Sequence, residues 1–276
     1  MKVVMTLLVR NEEDILEDNL DFHLSQGIEM FIVTDNRSTD ATRRILKEYE
    51  RGGHLVYIYE GADNFSQNDW VTRMARMAAV DYGADWVINS DADEFWWPSE
   101  GTLVESFTSL ASKCNILQVQ RSNFVHVSTY DNGAPFYKTM KYRDTRSLNA
   151  MGKVLPPKQA HTANRRVDVH WGNHSVSGIG KKTICEGAVE IFHFPIRSHS
   201  QMISKFVVGG ASLSRNAEKN AVSTWRKIYD EYLRNGDLEG YYKKVVYDEA
   251  RLSAEIEMGK LVEDSRLASY MESLRI

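Results

Sequence analysis

Val3-Val4-Met5-Thr6-Leu7-Leu8-Val9 runs directly into Arg10-Asn11-Glu12-Glu13-Asp14. The first part is an almost unbroken aliphatic and β-branched run, the pattern of a strand buried on both faces. No small-residue cleavage site follows it, so it reads as a first strand rather than a secretory leader. Asn11 reads as the cap of a helix with Leu16, Leu20 and Leu24 on one face and Gly27 at its end. The alternation then repeats. Met30 to Thr34 is strand-like, and Ser38 or Thr39 opens a helix closed by Gly52-Gly53. His54 to Tyr59 is strand-like, Asn68 to Tyr82 carries Trp70, Met74, Met77 and Ala78 at helical spacing, and Trp86 to Asn89 is a fourth strand. Strands alternating with helices predict an α/β fold with a mostly parallel sheet and helices on both faces.

The rest of the chain reads differently. Asn115 to Gln120, Phe136 to Lys141, Val167 to His170 and Ala188 to Phe194 look like short strands among loops, and from Ser198 onward the pattern is helical. The expected organisation is a catalytic domain over residues 1–197, with a nucleotide-binding half at 1–100 and an acceptor half at 101–197, followed by a C-terminal helical extension at 198–276.

Composition narrows the partners. The 276 residues are 42% hydrophobic and 26% charged, ordinary for a globular chain. A net charge of −4 gives no field for holding nucleic acid. No run approaches the roughly 20 apolar residues of a membrane span, although a peripheral membrane contact stays compatible. Cys114 and Cys185 are too few for a disulfide framework, and with the absent leader they point to the cytoplasm.

In open parallel sheets, ligands bind at the carboxyl ends of the strands. Three strands end in polar clusters: Arg10-Asn11-Glu12, Asp35-Asn36-Arg37-Ser38-Thr39-Asp40, and Ser90-Asp91-Ala92-Asp93-Glu94. The last gathers three carboxylates within four residues, which repel one another unless a cation joins them. Oxygen ligands suit Mn²⁺ or Mg²⁺, held by one or two carboxylates and completed by substrate phosphates. No Gly-x-Gly-x-x-Gly follows the first strand, and Gly178-Ile179-Gly180-Lys181-Lys182-Thr183 lacks the spacing of a P-loop.

These motifs, in this order, resemble the family 2 glycosyltransferases of GT-A fold, in the branch whose first strand ends in Arg-Asn-Glu. Val33-Thr34-Asp35-Asn36-Arg37-Ser38-Thr39-Asp40-Ala41-Thr42 and Ala84-Asp85-Trp86-Val87-Ile88-Asn89-Ser90-Asp91-Ala92-Asp93-Glu94-Phe95 carry the likeness. It continues weakly through Gly172-Asn173-His174 and His193-Phe194-Pro195-Ile196-Arg197-Ser198. The resemblance implies an inverting, metal-dependent transfer of a sugar from a nucleotide-diphosphate sugar donor to a glycan or lipid-linked glycan acceptor. It implies that Leu8, Arg10 and Glu12 line the nucleoside pocket and that Asp35 accepts a hydrogen bond from the base. Arg76 would face the diphosphate, Asp91 would hold the ribose or a metal-bound water, and Asp93 would bind the metal. The departure from the family pattern is Asn36-Arg37, where many relatives have Asp-Gly.

Asp91 and Asp93 are too close in sequence to surround an ion, so a ligand returning from later in the chain is expected. His161, His170, His174 and His193 are the candidates. His174 follows the turn-prone pair Gly172-Asn173 and is preferred; His193 is second, with the role of general base as its alternative. Trp96 and Trp97 follow the carboxylates and suit either sugar stacking or the core. A nucleotidyltransferase and a non-catalytic carbohydrate-binding protein are the rival functions.

Overall fold

The computed structural model describes residues 1–130, 133–149, 152–216 and 224–275. The chain opens with β1 (Val3–Val9), α1 (Leu16–Ser25), β2 (Met30–Asp35), α2 (Thr42–Arg51), β3 (Leu55–Tyr59), α3 (Gln67–Val80) and β4 (Trp86–Ser90). It continues through β5 (Glu94–Pro98), α4 (Leu103–Leu110), β6 (Ile116–Val119), β7 (Arg121–Asn123), α5 (Phe136–Thr139), β8 (Tyr142–Asp144) and β9 (Lys158–Thr162). Next come β10 (Asp168–Val169), β11 (Val176–Ser177), β12 (Ile184–Cys185) and β13 (Val189–His193). The last part holds α6 (His199–Ile203), α7 (Gly209–Ser214), α8 (Thr224–Asn235), α9 (Glu239–Val245), α10 (Glu249–Glu257), β14 (Leu261–Glu263) and α11 (Arg266–Ser273).

Two compact units divide these elements. One comprises Met1–Ala62, Ser66–Arg121 and Pro156–Phe192; the other comprises Asp63–Phe65, Ser122–Leu155 and His193–Ile276. This division groups residues 122–155 with the C-terminal helices, whereas the sequence reading joins them to residues 1–197.

The first unit is built on a seven-stranded sheet of order β12-β6-β9-β4-β1-β2-β3. Strands β1 to β4 are mutually parallel, and β9 runs antiparallel between β4 and β6. Within β1, Val3, Val4, Met5, Leu7 and Val9 are at most 2% exposed, each contributing about 1.5–3 kcal/mol of burial. Val4, Ile32 and Val87 share one core with Val71, Met74, Ala75 and Ala78 of α3. Gly27 ends α1 region with φ +89, and a Cβ there would meet Val104 at 3.0 Å, so only glycine makes this turn comfortably.

Chain order fixes where a ligand binds. From β1 the chain moves outward through β2 to β3, then α3 returns it to β4 on the opposite side of β1. The direction therefore reverses between β1 and β4, and their carboxyl ends, Arg10 to Glu12 and Ser90 to Glu94, face the crevice of a topological switch point.

The second unit is mainly helical. Ile196, Met202, Phe206, Ile228, Leu238, Tyr241 and Val246 form its larger core, and β8 pairs antiparallel with β14. A π-helical turn at Ser204–Val208 joins α6 to α7.

Three local expectations are corrected. Asn11 does not cap α1, which begins at Leu16; Asn11 has φ 55 and its Oδ1 instead accepts the backbone N–H of Thr39. Phe136 to Lys141 is not a strand: α5 follows Pro135 at φ −53, and Phe136, Tyr137 and Met140 are buried at helical spacing. Cys114 and Cys185 are joined in a disulfide, with Cα atoms 5.8 Å apart, because the pairing of β12 with β6 brings together residues 71 positions apart. Among the described residues no helix is long and apolar enough to cross a membrane.

Candidate active site

The loops after β1 and β2 are stitched together by the motif residues. The backbone N–H of Asn11 donates to Ser38 Oγ (3.0 Å), and that of Glu12 donates to Thr42 Oγ1 (2.9 Å). Ala41 N–H donates to Glu13 Oε2 at 2.7 Å. Arg10 Nη1 donates to Asn36 Oδ1 (3.3 Å), whose amide in turn donates to the carbonyls of Glu60 and Ala62. Arg37 takes φ 61, so the left-handed turn usually made by glycine is kept here by an arginine. Asp35 is fully buried: its Oδ1 accepts Ser38 N–H (2.9 Å) and its Oδ2 accepts the Tyr57 hydroxyl (3.1 Å). Burial, followed by the charge of Asp35, pushes the Tyr57 hydroxyl up to about 12. Leu8 is half-buried against the α3 core. Arg10, Glu12 and Asp35 thus share one loop cluster, in which each has a structural partner.

The turn after β4 is equally tied. Asn19 Nδ2 donates to the carbonyls of Ala92 (3.0 Å) and Glu94 (2.9 Å), and Glu94 N–H donates to the Asp91 carbonyl at 3.1 Å. Trp96 is fully buried, and its indole N–H donates to Ser90 Oγ at 2.9 Å. Trp97 stacks between Phe22 and Phe192, with centroids at 5.8 and 5.2 Å. Trp96 is a core element of the first unit, whereas Trp97 is partly exposed.

The carboxylates carry protein cations. Lys158 Nζ lies 2.6 Å from Asp91 Oδ2 and 3.1 Å from Glu94 Oε1, with its side chain 1% exposed. Arg121 Nη1 lies 3.4 Å from the same Glu94 oxygen and also donates twice to the Pro156 carbonyl. Glu94 is wholly buried and Asp93 is 3% exposed, whereas the Asp91 side chain keeps a 34% exposed face. Asn173 Nδ2 approaches Asp91 Oδ1 at 3.4 Å.

His174 joins this group. Its Nδ1–H donates to the Pro157 carbonyl at 2.8 Å, which leaves the lone pair on Nε2. Burial, then the nearby charges of Lys158 and Arg121, lower its pKa to about 4, so it is neutral at pH 7. Gly172, at φ +67, is required here, since a Cβ would collide with the His174 ring. Among the described residues no three His, Cys, Asp or Glu side chains converge as a metal cage, so the expected set of Asp91, Asp93 and His174 is not gathered as three ligands. The reason is chemical: Lys158 already neutralises the carboxylate that faces solvent. The donor set does fit a hard cation shared with phosphates, which needs only one or two protein oxygens.

The other expected residues have partners of their own. Arg76 donates to the Val167 carbonyl (2.8 Å) and pairs with Asp168 (2.5 Å), clasping α3 to β10. His161 is buried in β9, its pKa lowered to about 4 by burial; His170 shares a 3.1 Å hydrogen bond with Ser177. His193 belongs to the second unit, where Nδ1–H donates to Asn123 Oδ1 at 2.6 Å. Lys158, Arg121 and Asn173 are the residues that sequence reasoning missed. The requirement for a cation among three carboxylates is a signal for them, but it does not distinguish an ammonium from a metal.

Residues 3–206 match the family model for glycosyltransferase family 92. The sequence reading of a glycosyltransferase therefore holds, with family 92 in place of family 2. No curated protein sequence matches the chain. Among solved structures it is similar to Staphylococcus aureus TarS 1-349 in complex with UDP, at 14% identity over 84% of this chain and 71% of that one, TM-score 0.43. It is also similar to glucosyl-3-phosphoglycerate synthase from Mycobacterium tuberculosis in complex with Mn²⁺, UDP and phosphoglyceric acid, at 15% identity over 80% of each chain, TM-score 0.41.

Proposed function

The chain belongs to glycosyltransferase family 92, and from that premise we propose that it transfers a sugar, with inversion, from a nucleotide-diphosphate sugar to an acceptor hydroxyl, using Mn²⁺ or Mg²⁺. The observation that carries this reading is the placement of Asp91, half-exposed among buried charges, at the carboxyl end of β4 beside the switch point. Asp91 and Asp93 are the carboxylates that would share the cation with the donor diphosphate, with neutral His174 as the nitrogen ligand. The cation would stabilise charge developing on the departing diphosphate.

The protein's own groups supply the rest. Leu8, Arg10 and Glu12 line the nucleoside pocket, and Asp35 anchors its floor through Ser38 and Tyr57. His193, whose Nδ1–H donates to Asn123 Oδ1, is the proposed general base that takes the acceptor proton. As that proton leaves, the acceptor oxygen attacks the anomeric carbon and the bond to the diphosphate breaks on the opposite side. The paired cysteines support an oxidising compartment over the cytoplasm. The deciding experiment incubates the protein and Mn²⁺ with a panel of nucleotide sugars and candidate glycan acceptors. Release of nucleoside diphosphate with formation of glycosylated product supports the reading; no release from any donor refutes it.

A further inference from the structure

We propose, resting on the transferase reading above, that Lys158 is a resident counter-cation of the donor site, which holds Asp91 until a divalent cation arrives together with a diphosphate and so couples the binding of the two. Lys158 is 1% exposed, and its ammonium is shared by Asp91 (2.6 Å) and Glu94 (3.1 Å). With Arg121 on Glu94, the charges of Asp91 and Glu94 are each met by a protein cation. Carboxylates compensated in this way attract a free divalent ion less than bare ones do. Such an ion must also displace an ammonium that is already desolvated and well placed, and leave it buried with fewer partners.

A metal accompanied by a nucleoside diphosphate changes that balance. The pair brings several negative charges, which would give the Lys158 ammonium new anionic partners and leave Asp91 available to hold the metal. Asn173 is a second, independent pointer to a ligand at this place. It is 1% exposed, its Nδ2 lies 3.4 Å from Asp91 Oδ1, and its buried Oδ1 has no partner among the described residues. A buried amide oxygen on a side chain that touches Asp91 needs a donor, and a ligand bound at Asp91 would be a source of one.

The test is a titration of Mn²⁺ followed by the paramagnetic resonance signal of the free ion, with no nucleotide, with UDP, and separately with GDP. For the unaltered chain, nucleotide should tighten apparent Mn²⁺ affinity by ~30-fold or more. Lys158→Met keeps the buried stem and removes the charge; it should bind Mn²⁺ alone ~10-fold more tightly, and its coupling should shrink to about 3-fold or less. Lys158→Gln serves where the methionine variant does not fold by circular dichroism. Equal Mn²⁺ affinity with and without nucleotide in the unaltered chain overturns the proposal, as does a folded Lys158 variant with unchanged metal-only affinity or undiminished coupling. Failure of the transferase reading is visible separately, as an absence of nucleoside diphosphate release from every nucleotide sugar.

Discussion

The backbone N–H of Trp96 donates to Nε2 of His23 (3.2 Å), while Nδ1–H of the same imidazole donates to the Asn19 carbonyl (2.8 Å). A ring that donates at one nitrogen and accepts at the other is neutral. Its burial, only partly opposed by the Asn19 hydrogen bond, lowers its pKa from 6.5 to about 3. His161 is lowered to about 4 by the same cause. Between these values and 6.5 the unfolded chain binds protons that the folded chain refuses, so the stability is present above pH 6.5 and is lost as pH falls. Each histidine adds a slope of up to about 1.4 kcal/mol per pH unit inside its window. The urea midpoint should therefore drop between pH 7 and 4.5; a midpoint that stays level would contradict both assignments.

Asp91→Asn removes the half-exposed carboxylate but leaves Lys158 paired with Glu94. The variant should fold, with a melting temperature close to the unaltered chain's, and lose about 10²-fold or more in kcat/KM, roughly 2.7 kcal/mol of transition-state stabilisation. Excess EDTA should abolish turnover, and added Mn²⁺ should restore it. Full activity in the chelator would remove the metal from the reaction.

Asp35 carries two loads, and substitutions separate them. Asp35→Ala strips an acceptor from Ser38 N–H and from the Tyr57 hydroxyl, and should cost about 1–3 kcal/mol of stability by urea denaturation. It should also weaken donor binding in calorimetry. Tyr57→Phe removes only the hydroxyl and should cost about 1 kcal/mol with donor affinity nearly kept. Equal donor affinity in all three proteins would confine Asp35 to the loop scaffold.

The Cys114–Cys185 bridge spans 71 residues of sequence, and loop-closure entropy assigns it roughly 4 kcal/mol. Unfolding in urea with and without a phosphine reductant should show a loss of that order. Cys114→Ser should reproduce the reduced protein's midpoint, and insensitivity to reductant would show that the bridge is absent in solution.

The parallel half was legible because its signals are local. The run Val3 to Val9 and the apolar spacing of Trp70, Met74 and Ala78 reflect burial on a strand and on one helix face, and both survive in the fold. Asp91 was legible because strand ends carry the chemistry of such sheets. Lys158 was not: after Pro156-Pro157 a lysine reads as a solvated loop residue, and only antiparallel insertion of β9 between β4 and β6 buries it against carboxylates 67 and 64 positions earlier. Arg76 shows the opposite case, since its helix position and the short strand at Val167 to His170 were both legible, while their pairing across 91 and 92 positions of sequence was not. Asn11 misled because its side chain serves the neighbouring loop at Thr39 instead of the helix after it.

The disulfide also sorts the site's charges by topology. Arg121, Lys158, Asn173 and His174 all lie inside the covalent ring closed by Cys114 and Cys185, while Asp91, Asp93 and Glu94 lie on the thread outside it. Tension applied between the two termini runs through the sulfur atoms and bypasses the ring. Its 71 residues, about 250 Å of contour at full extension, then contribute nothing to the stretched length. Under load, the acids belong to the part of the chain that can be pulled straight, and their cations belong to a closed circuit that cannot.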